Sequence, residues 1–167
     1  MYQRLISFLD ANQARYRLID HPPEGRTDLA SQLRGHPLEH AAKCIVARVG
    51  ITKRVGRYLL AVVPGHRQVD LAALGEIAGG GRTAFATKEV AERLAGSVSG
   101  TVMPFSFHPD LHLVVDEELL GLEEIYFNAA RLDRSVALST TDYQRLAEPR
   151  IARIAAKERV PINSARG

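Results

Sequence analysis

Two short segments carry the side chains best suited to chemistry. In the first, Ala41-Ala42-Lys43-Cys44-Ile45-Val46, a lysine stands at the mouth of an apolar run. In the second, Gly96-Ser97-Val98-Ser99-Gly100-Thr101-Val102-Met103-Pro104-Phe105, two glycines and a proline follow the spacing G-x-x-x-G-x-x-x-P. Burying an ammonium without a partner costs several kcal/mol, so a lysine opening a core strand calls for a partner or a ligand. A glycine-rich loop offers backbone N–H groups with no side chain in the way. A cation and a set of amides converging on one point suit a carbonyl or a phosphate. Each segment also has a plainer reading. Lys43 can bury its stem and leave its ammonium in water, and Gly96 can end a helix ahead of an ordinary turn at Gly100 to Pro104.

The elements that must position these residues are legible in the pattern. Leu5, Ile6, Phe8 and Leu9 recur at helical spacing, predicting a helix over Tyr2 to Gln13. A short strand, Tyr16 to Ile19, stops at His21-Pro22-Pro23, and Thr27-Asp28 can cap a helix to Gln32 or Leu33. Cys44 to Val49 and Tyr58 to Val63 are rich in apolar and β-branched residues and read as a hairpin deep in a sheet. Asp70 and Thr87 can each cap a helix, the first running to Ala78 before Gly79-Gly80-Gly81, the second over Lys88 to Leu94. Thr83 to Ala86, Leu111 to Val115, Ile125 to Asn128 and Ser135 to Leu138 read as strands. Thr140 or Thr141 starts a C-terminal helix, and Pro149 sits at the first turn of an expected second one. With no repeats and no regular βαβ units, the chain reads as one α+β domain over residues 1–159, with a loosely held tail at 160–167.

In order and spacing these pieces resemble the YbaK/ProX family of aminoacyl-tRNA editing domains, over roughly residues 15 to 155. The residues that carry the resemblance are Lys43 with its apolar run, Leu60-Ala61-Val62-Val63-Pro64-Gly65, Val69-Asp70-Leu71, and the glycine–proline loop. Leu113-Val114-Val115-Asp116, Ile125-Tyr126-Phe127-Asn128-Ala129-Ala130, Val136-Ala137-Leu138-Ser139 and Asp142-Tyr143-Gln144-Arg145-Leu146 follow. The resemblance implies a mixed, partly barrel-like β-sheet flanked by helices. It also implies a metal-free and cofactor-free deacylase that hydrolyses the ester of a mischarged tRNA. The family's usual targets are small amino acids on tRNA-Pro, with serine or threonine on other tRNAs as a further option. Three departures stand out. Ser106 replaces a frequent glycine, Ala129-Ala130 replaces a turn that often holds glycine, and Ser135 stands where relatives acting on cysteinyl-tRNA carry aspartate.

On this resemblance Lys43 is the catalytic residue, stabilising negative charge on the ester by position and electrostatics. Gly96, Gly100, Thr101 and Val102 supply or shape amides for the carbonyl or terminal adenosine, Met103, Pro104 and Phe105 wall the aminoacyl pocket, and Ser106, Ala129, Asn128, Asp116 and His21 line the cleft. Asp116 and Asn128 serve equally well as cap or turn residues, and His21 as a plain turn residue. Ser97-Val98-Ser99 is no nucleophile elbow, because valine occupies the middle position. Gly79-Gly80-Gly81 follows a helix and lacks Gly-Lys-Ser/Thr, so it reads as a helix stop. The pairs His36/His40 and His108/His112 have helical spacing, but Pro37 and Pro109 interrupt it, and no metal is expected.

Composition bounds the rest. The 167 residues, 46% hydrophobic and 25% charged, suffice for one core. No apolar stretch approaches the about 20 residues needed to span a bilayer, and the first ten residues are too polar for a secretory leader. The single cysteine, Cys44, rules out an internal disulfide, and a cytoplasmic location is expected. A net charge of +3 permits nucleic acid without demanding it. Two basic groups stand out. One is Arg131, Arg134, Arg145, Arg150, Arg153, Lys157, Arg159 and Arg166; the other is Arg48, Lys53, Arg54, Arg57 and Arg67 around the hairpin. Either is a solvated face or a contact for tRNA phosphates. The expected partner is mischarged aminoacyl-tRNA, with an aminoacyl-tRNA synthetase as a further candidate. The alternatives are a non-catalytic module binding aminoacyl-tRNA or a synthetase through the same cleft, and a hydrolase of a small ester or amide unrelated to tRNA.

Overall fold

The computed structural model describes residues 1–157, so the expected tail at 160–167 lies outside the described residues. Helix α1 (Tyr2–Ala11) leads to strand β1 (Tyr16–Asp20) and helix α2 (Thr27–Arg34). A 3-10 turn, Leu38–His40, feeds β2 (Ala42–Gly50), which returns as β3 (Gly56–Pro64). Then come α3 (Leu71–Ile77), β4 (Thr83–Phe85), α4 (Lys88–Ala95), β5 (Leu111–Asp116), a 3-10 turn at Glu117–Gly121, β6 (Glu124–Asn128), β7 (Arg134–Ser139), α5 (Thr140–Ala147) and β8 (Arg150–Ala152). Two of the expected caps form: Asp70 accepts from the Ala73 amide at 3.1 Å and Thr87 from the Val90 amide at 3.4 Å. The expected Thr27-Asp28 cap does not, since α2 follows Arg26 with no side-chain cap, and α5 is capped by Ser139, one residue before the expected threonines.

The strands form two sheets, a three-stranded β1-β7-β6 and a five-stranded β4-β2-β3-β5-β8. The small sheet is antiparallel throughout. In the large one β2 pairs antiparallel with β3 and β4, whereas β5 joins β3, and β8 joins β5, in parallel. A single parallel bridge, Ala41↔Tyr126, ties the two sheets beside the start of β2. The mixed sheet with flanking helices is therefore present, split in two and without barrel closure among the described residues.

The central hairpin is buried on both faces, which is why Leu59 to Val63 is apolar without alternation. Val46, Leu60 and Val62 pack one way, against Leu5 and Leu9 of α1, Phe105, Phe127 and Tyr143. Ala47, Leu59, Ala61 and Val63 pack the other way, against Leu74 of α3, Val69 and Ile154.

The expected second C-terminal helix is absent. Glu148 adopts a left-handed conformation (φ 45°) that ends α5, and Arg150–Ala152 runs extended beside Val114–Asp116. Pro149 stands just ahead of this edge strand, where its missing N–H costs the ladder nothing. The edge of β5 needed a partner, and that tertiary demand outweighed a proline equally suited to a helix start.

Candidate active site

Four elements meet where the two sheets touch: the start of β2, helix α2, the loop after α4, and the end of β6. Between them lies a cavity of ≈ 190 Å³ whose wall includes Thr27, Arg34, Lys43, Cys44, Gly100 and Asn128. Gly25 and Gly100 bring two loops into backbone contact. A Cβ on residue 100 would stand 2.8 Å from the Gly25 Cα, and Gly100 itself has φ +87°, so only glycine serves there. Asn128 locks the same junction. Its amide donates to the carbonyls of Glu24 and Gly100, each at 2.9 Å.

Arg34, at the end of α2, is the strongest polar feature of the wall. One guanidinium nitrogen donates to Asn128 Oδ1 at 3.2 Å and to Ser135 Oγ at 3.1 Å, another approaches Ser31 Oγ at 3.4 Å, and Nε donates to His36 Nε2 at 2.9 Å. All these partners are neutral. Burial consequently pulls the Arg34 pKa down to about 10. His36 donates through Nδ1 to the Pro37 carbonyl and stacks on Tyr126 with ring centroids 3.8 Å apart. Burial first, and Arg34 beside it, hold this imidazole neutral, with its pKa lowered to about 4. The result is a fixed cation in the wall with no carboxylate partner among the described residues.

Lys43 is the second cation. Its ammonium donates to the Arg67 carbonyl in the loop after β3, and it forms no ion pair among the described residues. Burial lowers its pKa below the ordinary lysine value. Strand alternation explains the placement: Ala42 and Cys44 face the first core, while Lys43 shares its face with Ile45 and Ala47. Burial also pushes the Cys44 thiol far up, so this sulfur stays protonated and is not an activated nucleophile.

Of the residues expected from sequence, Lys43, Gly100, Val102 and Asn128 meet on the cavity. His21 stands one step behind it, with Nε2 2.7 Å from Ser135 Oγ. Thr101 is buried, its hydroxyl and amide both turned to the Val98 carbonyl. Gly96 caps α4 in the left-handed region (φ +74°). Met103, Phe105 and Ala129 belong to the main core and do not wall the cavity, and the Pro104 carbonyl accepts from the Tyr143 hydroxyl at 2.7 Å. Ser106 bonds the carbonyls of His108 and Leu111 and borders a different groove. Asp116 does not line this cavity: it accepts the amides of Ile154 and Ala155, each at 2.8 Å, and anchors the C-terminal segment.

Sequence reasoning missed Arg34, Thr27 and Gly25. An arginine in a helix's last turn before glycine is the commonest way to complement the helix dipole, so Arg34 carried no distinguishing local signal. The only hint was Ser135 in place of an aspartate, and its meaning depends on Arg34 being opposite.

The sequence model of the aminoacyl-tRNA editing domain matches residues 21–146. The chain is 39% identical over 151 residues, 90% of each chain, to the multifunctional Ser/Thr-tRNA deacylase ProXp-y of Escherichia coli, in strains K12 and O157:H7. Its fold is similar to the crystal structure of a hypothetical protein, with TM-score 0.82, 21% identity, and 92% of this chain and 99% of the other covered. It is also similar to a proposed trans-editing enzyme for prolyl tRNA synthetase, with TM-score 0.77, 21% identity, and coverage of 93% and 97%. The chain belongs to the aminoacyl-tRNA editing domain family.

Proposed function

We propose that the chain is a free-standing deacylase that hydrolyses the ester of tRNA mischarged with serine or threonine, acting in the cytoplasm. The observation that carries this reading is the small cavity walled by two cations, Lys43 and Arg34, neither of which has a carboxylate partner among the described residues. An ester carbonyl gains negative charge as water attacks it, and fixed uncompensated cations stabilise that charge without reorganisation. At ≈ 190 Å³ the space suits a small aminoacyl group, leaving the adenosine outside. Thr27 borders this space at the first residue of α2, which puts a hydroxyl-bearing side chain beside the place of the substrate's own hydroxyl. The 39% identity to a Ser/Thr-tRNA deacylase supports the same choice of substrate.

The physical need is clear. A synthetase pocket rejects a smaller or isosteric side chain by only ~1–3 kcal/mol, so a second, hydrolytic site must supply the missing discrimination. The test is release of amino acid from tRNAs charged with serine, threonine, alanine and cysteine, by the unchanged chain and by Lys43→Ala and Thr27→Val. Rapid release of serine or threonine, lost in Lys43→Ala and less selective over alanine in Thr27→Val, is expected. tRNA binding with no release from any of the four would make the chain a binding module instead.

A further inference from the structure

We propose that the groove bordered by Ser106 binds a small phosphate-bearing molecule with a flat or apolar body, a nucleotide being the simplest example. The groove has a volume of ≈ 650 Å³, within the ~300–1,000 Å³ typical of small-molecule sites. It shares no lining residue with the cavity of Lys43, so the site stands apart from the deacylase reading.

Strand register builds a row of three polar side chains across β3, β5 and β8. Leu59 on β3 lies opposite His112 on β5, and Val114 on β5 lies opposite Arg150 on β8. Side chains two residues apart on a strand share a face, so Arg57 stands beside Leu59, and His112 beside Val114. Arg57, His112 and Arg150 therefore project from one face of the sheet, the face on which Leu59 and Val114 pack with Leu74 of α3. All three border the groove. Each step of the row, one strand across and two residues along, is about 8 Å at strand spacing and rise. Arginine side chains on either side of His112 can thus reach one anion between them.

The charge of this row is not cancelled. Neither arginine forms an ion pair among the described residues, and neither does Glu148, the carboxylate on the groove's wall. Arg150 donates to the Ile77 carbonyl at 3.2 Å, a contact that seats it at the end of α3 and uses one of its five N–H donors. His108 also borders the groove. Its Nδ1 accepts the Asp110 amide at 3.0 Å, so the neutral ring carries its proton on Nε2 and can donate there. Leu59, Ile77, Leu111, Leu113 and Ala147 supply an apolar wall beside these donors. Two guanidiniums and an imidazole arriving from three strands suit a phosphate, which offers three acceptor oxygens where a carboxylate offers two. The apolar wall suits a base or other flat body. Concavity favours a small molecule, because helical RNA carries its phosphates on a convex surface and would meet only the rim.

The experiment titrates inorganic phosphate, AMP and uncharged tRNA into the unchanged chain, Arg57→Gln, Arg57→Gln/Arg150→Gln and Lys43→Ala, by calorimetry. Urea unfolding midpoints check that each variant is folded. AMP should bind the unchanged chain one to one and about tenfold tighter than inorganic phosphate, because only AMP has a body for the apolar wall. Arg57→Gln should weaken AMP about tenfold and the double variant about 10²-fold, the scale of losing one and two charge-assisted hydrogen bonds. Arg57→Gln breaks no ion pair among the described residues, so its unfolding midpoint should not move. No binding of AMP, or AMP binding that survives in the double variant, would overturn the proposal. AMP binding lost in Lys43→Ala but kept in the double variant would put the nucleotide in the active cavity and overturn it as well. Weaker tRNA binding in the arginine variants with no AMP binding would make the groove an RNA-facing rim, again overturning it. Failure of the deacylase reading is separately visible, as absence of amino acid release by the unchanged chain.

Discussion

The guanidinium of Arg34 lies 3.1 Å from the hydroxyl of Ser135, a serine with no exposed surface, and that contact joins the end of α2 to β7. Arg34 has partners there but no counter-charge among the described residues. Exchanging Ser135→Asp would supply one, and the cation would no longer be available to an ester. Release of serine from charged tRNA is expected to fall about 10²-fold, the scale of losing one preorganised electrostatic donor, with kcat falling more than KM rises. Arg34→Gln should cause a loss of the same size. Full activity in Ser135→Asp would show that the charge of Arg34 is irrelevant to the reaction.

Lys43 allows its role to be read from pH. Burial lowers its pKa below the ordinary 10.5. A charge-stabilising ammonium is lost as pH rises through that lowered value, so kcat/KM, corrected for spontaneous ester hydrolysis, should fall on the alkaline side. Lys43→Arg, which stays protonated, should abolish that fall while retaining part of the activity. A rate that climbs through the same range would instead mark Lys43 as a general base.

His36 makes stability depend on pH in a defined window. It is neutral in the fold, with a pKa of about 4 against an ordinary 6.5. Between those values the unfolded chain binds a proton that the folded chain does not, so stability should fall as pH drops from about 6.5 to about 4 and level off below. Urea unfolding midpoints measured across that range should show a flatter profile for His36→Gln. Parallel profiles would mean that His36 is not held neutral.

Asp116 secures the segment after β8 through the amides of Ile154 and Ala155 and also accepts the Glu118 amide at 3.0 Å. Asp116→Ala leaves buried donors unsatisfied and should cost about 3 kcal/mol in urea unfolding. Hydrogen exchange should rise first at Ile154 and Ala155. The esterase activity should persist, because this carboxylate does not line the cavity.

The sequence by itself determined most of the local elements and the caps at Asp70 and Thr87, because periodicity, those two side chains and the left-handed glycines act within a few residues of chain. It also singled out Lys43, Gly100 and Asn128, whose types and spacing carry a signal wherever they stand. What only tertiary structure decided was which side chains share a wall. Arg34 became a site residue because α2 packs against Asn128 and Ser135, about a hundred positions away in sequence. Met103 and Phe105 went to the core because the loop after α4 turns its apolar side inward. The C-terminal segment chose a strand over a helix because β5 had an open edge and Asp116 two amides to accept. Such pairings depend on burial and long-range register, and neither leaves a local trace in the chain.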